Sequence, residues 1–172
     1  MSGASEEYLD LTRVSHRPVR WAGAISLSAL SRLAAAVADS GGQATVELQA
    51  IQADGQVSVH GQVQANLVLT CQRCFGSLDF PVKADFNLAW VRSEEEAVRL
   101  PDVYEPLLSA SGRVKIAELI EDELLLALPM AALHTPPQAC GGDPRGKFQQ
   151  PAKAAKTARS KSFAALQTLK RR

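Results

Sequence analysis

Cys71 and Cys74 carry the most directed chemistry in the sequence. Two thiols separated by two residues sit on one backbone turn and present both sulfurs to a tetrahedral ion. Such an ion needs two further donors. The remaining cysteine, Cys140, follows His134 by six residues, with Pro136 and Pro137 between them and Gly141 and Gly142 after, so bends are available where ligands must turn inward. Cys71, Cys74, His134 and Cys140 are therefore the candidate metal ligands, a three-cysteine, one-histidine set suited to zinc. The competing reading ends a buried strand face at Cys71 and leaves Cys74 a free thiol. A thioredoxin-type redox pair fits less well, because there the cysteines open a helix rather than bridge two strands.

Arg13, Arg17 and Arg20 lie close to His16 and Trp21, a grouping that can hold phosphates and stack on an unpaired base. Three arginines are also ordinary on an exposed strand. With Arg73 they form the body's candidate RNA- or partner-binding set. Glu118, Glu121, Asp122 and Glu123 recur at helical spacing. Carboxylates on the polar side of an amphipathic helix are ordinarily its solvated face, so they are not read as an acid–base pair. The sequence contains no nucleophile elbow, no phosphate-cradling glycine loop and no zinc-protease helix, and an enzyme is not expected.

Positioning the cysteines falls to a run of alternating sequence. Val46, Leu48 and Ala50 alternate with polar neighbours, and Asp54-Gly55 supplies a tight hairpin turn. The returning strand places Val57, Val59, Gly61, Val63, Ala65, Leu67, Leu69 and Cys71 on one face, and a third strand does the same with Phe80, Val82, Ala84, Phe86, Leu88 and Trp90. The two cysteines thus fall at the tip of a long hairpin. A helix is predicted from Leu27 to Ala38, capped by Ser26 and stopped by Gly41-Gly42, and a second from Ile116 to Leu128, ended by Pro129. The stretch from Glu94 through Pro101 and Pro106 reads as loop. The fold class is α+β: an antiparallel β-meander with two packed helices and a flexible basic C-terminal tail ending in a short helix.

Three segments follow: a single α+β domain over 1–137, a flexible basic linker over 138–161, and a short amphipathic helix over 162–172. The linker has too few large apolar residues to offset the entropy of ordering. The last segment sets Phe163, Leu166 and Leu169 on one face beside Lys170 and Arg171, a pattern for docking on a partner or back on its own domain. Charge divides the same way. Residues 1–144 hold all 18 acidic and 10 of the 19 basic residues, a net of −8, while residues 145–172 hold nine basic residues and no acid. An acidic body repels phosphate and suits a basic protein; a basic tail suits RNA or an acidic surface.

At 172 residues and 46% hydrophobic composition the chain can bury one real core. The longest apolar run, Leu124 to Leu133, is broken by Pro129 and is half the ~20 residues a membrane span needs, so no membrane segment is expected. Glu6, Glu7 and Asp10 near the start argue against a secretory signal, and three cysteines are too few for a disulfide scaffold. A cytoplasmic protein is expected.

The order of motifs resembles one family. The Cys71-Gln72-Arg73-Cys74 turn, the stretch from Leu100 to Pro106, Glu121-Asp122-Glu123 leading into Leu126-Ala127-Leu128-Pro129, and the ending from Phe163 to Lys170 look like the YceD family of large ribosomal RNA accumulation proteins. The chain departs from many relatives by keeping only His134 and Cys140 where they look to carry a second two-residue cysteine pair. The resemblance implies a cytoplasmic, non-enzymatic ribosome biogenesis factor acting in synthesis, processing or stability of large-subunit ribosomal RNA. The expected partner is a large-subunit ribosomal protein or assembly partner, with direct binding to precursor large-subunit RNA as the alternative. No small-molecule substrate is expected. A metal-dependent nuclease would need clustered carboxylates in a cleft.

Overall fold

The structure, a computed structural model, describes residues 8–140. The linker from 141 onward and the terminal segment with Phe163, Leu166, Leu169, Lys170 and Arg171 lie outside the described residues. Element order is β1 (Tyr8–Asp10), β2 (Val19–Ser26), α1 (Ser31–Ala36), β3 (Gln43–Ala53), β4 (Gln56–Thr70), β5 (Ser77–Val91), α2 (Glu94–Ala97), β6 (Glu105–Leu108), β7 (Arg113–Lys115) and α3 (Ile116–Leu126). Strands β2-β3-β4-β5-β6 form one sheet, antiparallel except for the last pair, and β1 pairs with β7 in a small second sheet. This is the α+β meander that the alternation predicts. The β3–β4 turn is made by Asp54 (φ 50°) and Gly55 (φ 80°), both in the left-handed region a two-residue hairpin requires.

One face of the sheet is buried under α1 and α3. Val46, Leu48, Val59, Val63, Leu67, Val82, Phe86 and Leu88 meet Leu33, Ile116, Leu119, Ile120 and Leu124 there. At Gly61 the flanking strands β3 and β5 crowd β4: a Cβ would strike the Glu47 carbonyl oxygen, Leu48 Cα and the Phe86 ring.

Four expectations need correction. The helix predicted from Leu27 to Ala38 is broken at Leu30. Residues Leu27–Ala29 form a 3-10 turn anchored by the Leu27 amide on the Gly42 carbonyl (3.2 Å), and Ser26 makes no side-chain cap. Helix α1 starts at Ser31 because Glu121 of α3 caps it from outside, accepting from the amides of Arg32 (2.6 Å) and Leu33 (3.1 Å). The loop expected from Glu94 contains α2, whose N-cap Ser93 accepts from the Glu96 amide, and β6, which runs parallel to β5. Val19–Ser26, not predicted as a strand, is the sheet's edge β2. The linker expected from 138 begins with residues the fold holds, a 3-10 turn over Pro137–Ala139 and then Cys140.

The β4–β5 hairpin projects beyond its neighbour. Strand β3 pairs with β4 only as far as Gln64, whereas β4 continues to pair with β5 through Thr70. Past Gln64 the outer side of β4 is met by the single Asp39–Val68 bridge. A two-stranded ribbon alone is marginal in water, so its tip needs an anchor.

Candidate metal centre

The turn between β4 and β5 builds half of that anchor. Phe75 adopts φ 59°, and the Phe75 amide returns to the Cys71 carbonyl (2.8 Å) while the Cys71 amide donates to the Gly76 carbonyl (2.9 Å). This knuckle turns Cys71 and Cys74 to the same side. The chain after α3 supplies the rest: the Gln72 amide donates to the Ala132 carbonyl (2.8 Å), which lays residues 132–140 against the knuckle.

His134 and Cys140 then meet the two cysteines. The four donor atoms lie within 4.8 Å of one another. Cys74 Sγ is 3.4 Å and Cys140 Sγ 3.7 Å from His134 Nδ1, and Cys71 Sγ is 3.9 Å from Cys140 Sγ. A tetrahedral ion bonded at about 2.3 Å to sulfur and about 2.0 Å to nitrogen has donor–donor edges of roughly 3.5–3.8 Å. The set is therefore already close to a coordination shell.

Its electrostatics call for a cation. Burial raises the Cys71 thiol, but hydrogen bonds from the backbone amides of Cys74, His134 and Arg73 outweigh it and bring Cys71 down to about 5. Burial pushes the Cys140 thiol up, and the nearby Cys74 and Cys71 sulfurs push it further. Three sulfurs around one point cannot all ionise without a positive ion between them. The Ser77 carbonyl faces His134 Nε2 at 3.1 Å and can only accept, so the ring proton sits there and Nδ1 turns its lone pair toward the sulfurs. Arg73 points the same way, its Nη1 3.8 Å from Cys140 Sγ. Cys71 is fully buried, which shields the cluster on the protein side.

The arginine grouping near the start is divided at β2, where Arg20 and Trp21 fall on opposite faces. Strand alternation sends Arg20 outward, where its Nε donates to Gln49 Oε1 (2.9 Å), and turns Trp21 toward the core, against which it is partly buried. Arg13 pairs with Asp10 (3.4 Å), and His16 Nδ1 lies 3.0 Å from the Gln52 carbonyl. The carboxylates on α3 divide unexpectedly: Glu121 and Glu123 are buried, and Asp122 is exposed in an ion pair with Arg32 (2.6 Å). Sequence reading took Glu121 for solvated face; no local signal marks it as the cap of a helix far away in the chain. Among the described residues no helix is long and apolar enough to cross a membrane.

Comparison with known proteins places this architecture. Residues 59–170, from within β4 past all four donors, match the family model of the large ribosomal RNA subunit accumulation protein YceD. A Haemophilus influenzae protein of that name is 31% identical over 130 residues, covering 74% of this chain and 74% of its own. No solved structure matches. The chain belongs to the YceD family of large ribosomal RNA subunit accumulation proteins.

Proposed function

We propose that this protein is a cytoplasmic, non-enzymatic ribosome biogenesis factor that sustains large-subunit ribosomal RNA by holding a basic ribosomal protein or assembly partner, and that its Cys71, Cys74, His134 and Cys140 cluster binds zinc. The observation that carries the reading is the placement of the cluster. It fastens the tip of the β4–β5 hairpin to the segment from which the basic residues 145–172 continue. Three sulfurs and one imidazole fill a tetrahedral shell and leave no position for a water or substrate, so the ion supplies cross-linking rather than reactivity.

Charge favours a protein partner for the body. Residues 8–140 carry ten basic against fifteen acidic side chains, a net of −5. Of those cations Arg13, Arg32 and Lys115 are already in ion pairs with carboxylates. Such a surface repels phosphate and attracts the basic segments in which ribosomal proteins are rich. A second reading, direct binding to precursor RNA, is favoured by the nine cations of residues 145–172.

Affinity capture of the tagged full chain from growing cells, with and without ribonuclease, separates the two. A large-subunit protein retained after ribonuclease supports the partner reading. Recovery of precursor RNA alone, with every protein lost on ribonuclease treatment, refutes it in favour of direct RNA binding.

A further inference from the structure

Away from the metal centre, a groove of about 530 Å³ opens between the second half of α3 and strand β6. Its floor is apolar, with Leu88, Leu107 and Leu119, and its polar lining is acidic: Glu105, Asp122 and Glu123. The Glu123 side chain is part of a residue only 8% exposed, and among the described residues no donor reaches its carboxylate. Its charged neighbours make this worse: Glu105 on β6 and Asp122 on α3 are both acidic, and Arg32 is already committed to Asp122 and Glu121. The Glu123 oxygens still reach solvent, yet a carboxylate half withdrawn from water beside two like charges is disfavoured, and a cation arriving with apolar neighbours would relieve it. The rim suits such an arrival. Leu126 is 74% and Leu108 55% exposed, and among the described residues β6 ends the sheet with its outer edge unpaired.

We infer that this groove seats residues 162–172 of the same chain, with Phe163, Leu166 and Leu169 on its apolar floor and rim and a cation from Lys170, Arg171 or Arg172 against Glu123 and Glu105. The inference goes beyond the function proposed above and stands or falls separately. Three observations select this occupant. Its apolar residues recur every third position and its cations follow them directly, matching an apolar groove with an acidic pocket. From 145 onward the segment contains no acid that the groove would repel. It also reaches. Leu126 is six residues before Ala132, at most about 20 Å of chain. Ala132 and Cys140 both adjoin the Cys71–Gln72 turn, so Cys140 lies within roughly 30 Å of the groove. The 22 residues from 141 to 162 extend about 33 Å even if wholly helical and more than twice that if extended. Tethering at this length gives a local concentration in the millimolar range, enough to populate a contact too weak to form between separate molecules.

The test is photo-crosslinking of the full chain carrying p-benzoylphenylalanine in place of Leu126, with a second variant at Leu108 in case the first fails to fold. After irradiation, intact mass separates links within one chain from links between chains, and peptide mapping locates them. The expected result is an intrachain link into residues 162–172 as the main product, reduced at least three-fold by Glu123→Gln combined with Glu105→Gln while the circular dichroism spectrum is unchanged. Links between chains at micromolar protein would overturn the assignment in favour of a second copy. Links confined to residues 8–140, or a tail link indifferent to the two carboxylate changes, would overturn it outright.

Discussion

Removal of the proposed zinc is the perturbation whose size follows most directly from the fold. The cluster joins Cys74 to His134 and Cys71 to Cys140, separations of 60 and 69 residues. Treated as a cross-link on the unfolded chain, closing a loop of that length contributes about 4 kcal/mol. Residual binding of the ion by the Cys71–Cys74 pair in the unfolded state works against this, so about 3–4 kcal/mol is expected. For a protein of this size each kcal/mol moves the midpoint by about 3–4 °C, giving a fall of roughly 10–15 °C. The assay is thermal unfolding followed by far-ultraviolet circular dichroism, zinc-loaded against chelator-treated, with the metal content of each sample measured. The loss should be reproduced by His134→Ala without chelator, since that change removes one donor and leaves the knuckle's sequence intact. A midpoint shift below about 2 °C with zinc demonstrably removed would refute the reasoning, because it would mean the hairpin tip is anchored without the ion.

Other consequences are equally specific. Burial first, then Glu105 and Asp122, push the Glu123 carboxyl up to about 7, so the native state holds a proton that the unfolded chain releases near its ordinary value of 4.5. Stability from this group is therefore present below pH 4.5 and is lost as pH rises through about 7; with solvent screening in the groove the loss is about 1–2 kcal/mol. In a chain with Lys170, Arg171 and Arg172 changed to Gln, Glu123→Gln should flatten urea stability between pH 5 and pH 8 by that amount. Glu121→Ala strands the Arg32 and Leu33 amides at the start of α1 and should cost about 2–4 kcal/mol in urea unfolding. Arg32→Ala removes only a half-exposed guanidinium and should cost well below what Glu121→Ala does, and equal losses would mean the ion pair rather than the cap holds α1 to α3. Gly61→Ala brings a Cβ against Leu48 Cα and the Phe86 ring and should destabilise by about 1–3 kcal/mol, seen as a lower thermal midpoint with retained zinc.

What the sequence makes legible is what depends on neighbours along the chain. Alternation from Val57 to Cys71 and from Phe80 to Trp90 sets the two long strands, Asp54-Gly55 sets the turn that joins the first of them to β3, and the spacing of Cys71 and Cys74 sets half a coordination shell. His134 and Cys140 can be named as donors, but their approach depends on the Gln72–Ala132 hydrogen bond, which no local pattern encodes. Helix α1 is misread for the same reason, because its cap comes from Glu121, 89 residues away from Arg32. Two elements carried signals that were available. Ser93 and Glu96 have the spacing of a capping box and open α2. In β2, the alternation of Trp21, Gly23 and Ile25 is blurred by small residues facing both sides. Strand β6 is hidden by Pro106, a residue tolerated where a strand lies on the sheet edge.

The most direct test of the central claim is the ratio of mature large- to small-subunit ribosomal RNA in cells lacking the gene, complemented with the wild-type chain or with the Cys74→Ser, His134→Ala double variant. The ratio should fall on deletion, return with the wild-type chain, and stay low with the metal-site variant. A ratio unchanged by deletion would contradict a role in large-subunit ribosomal RNA, and full rescue by the variant would contradict the metal centre's part in it.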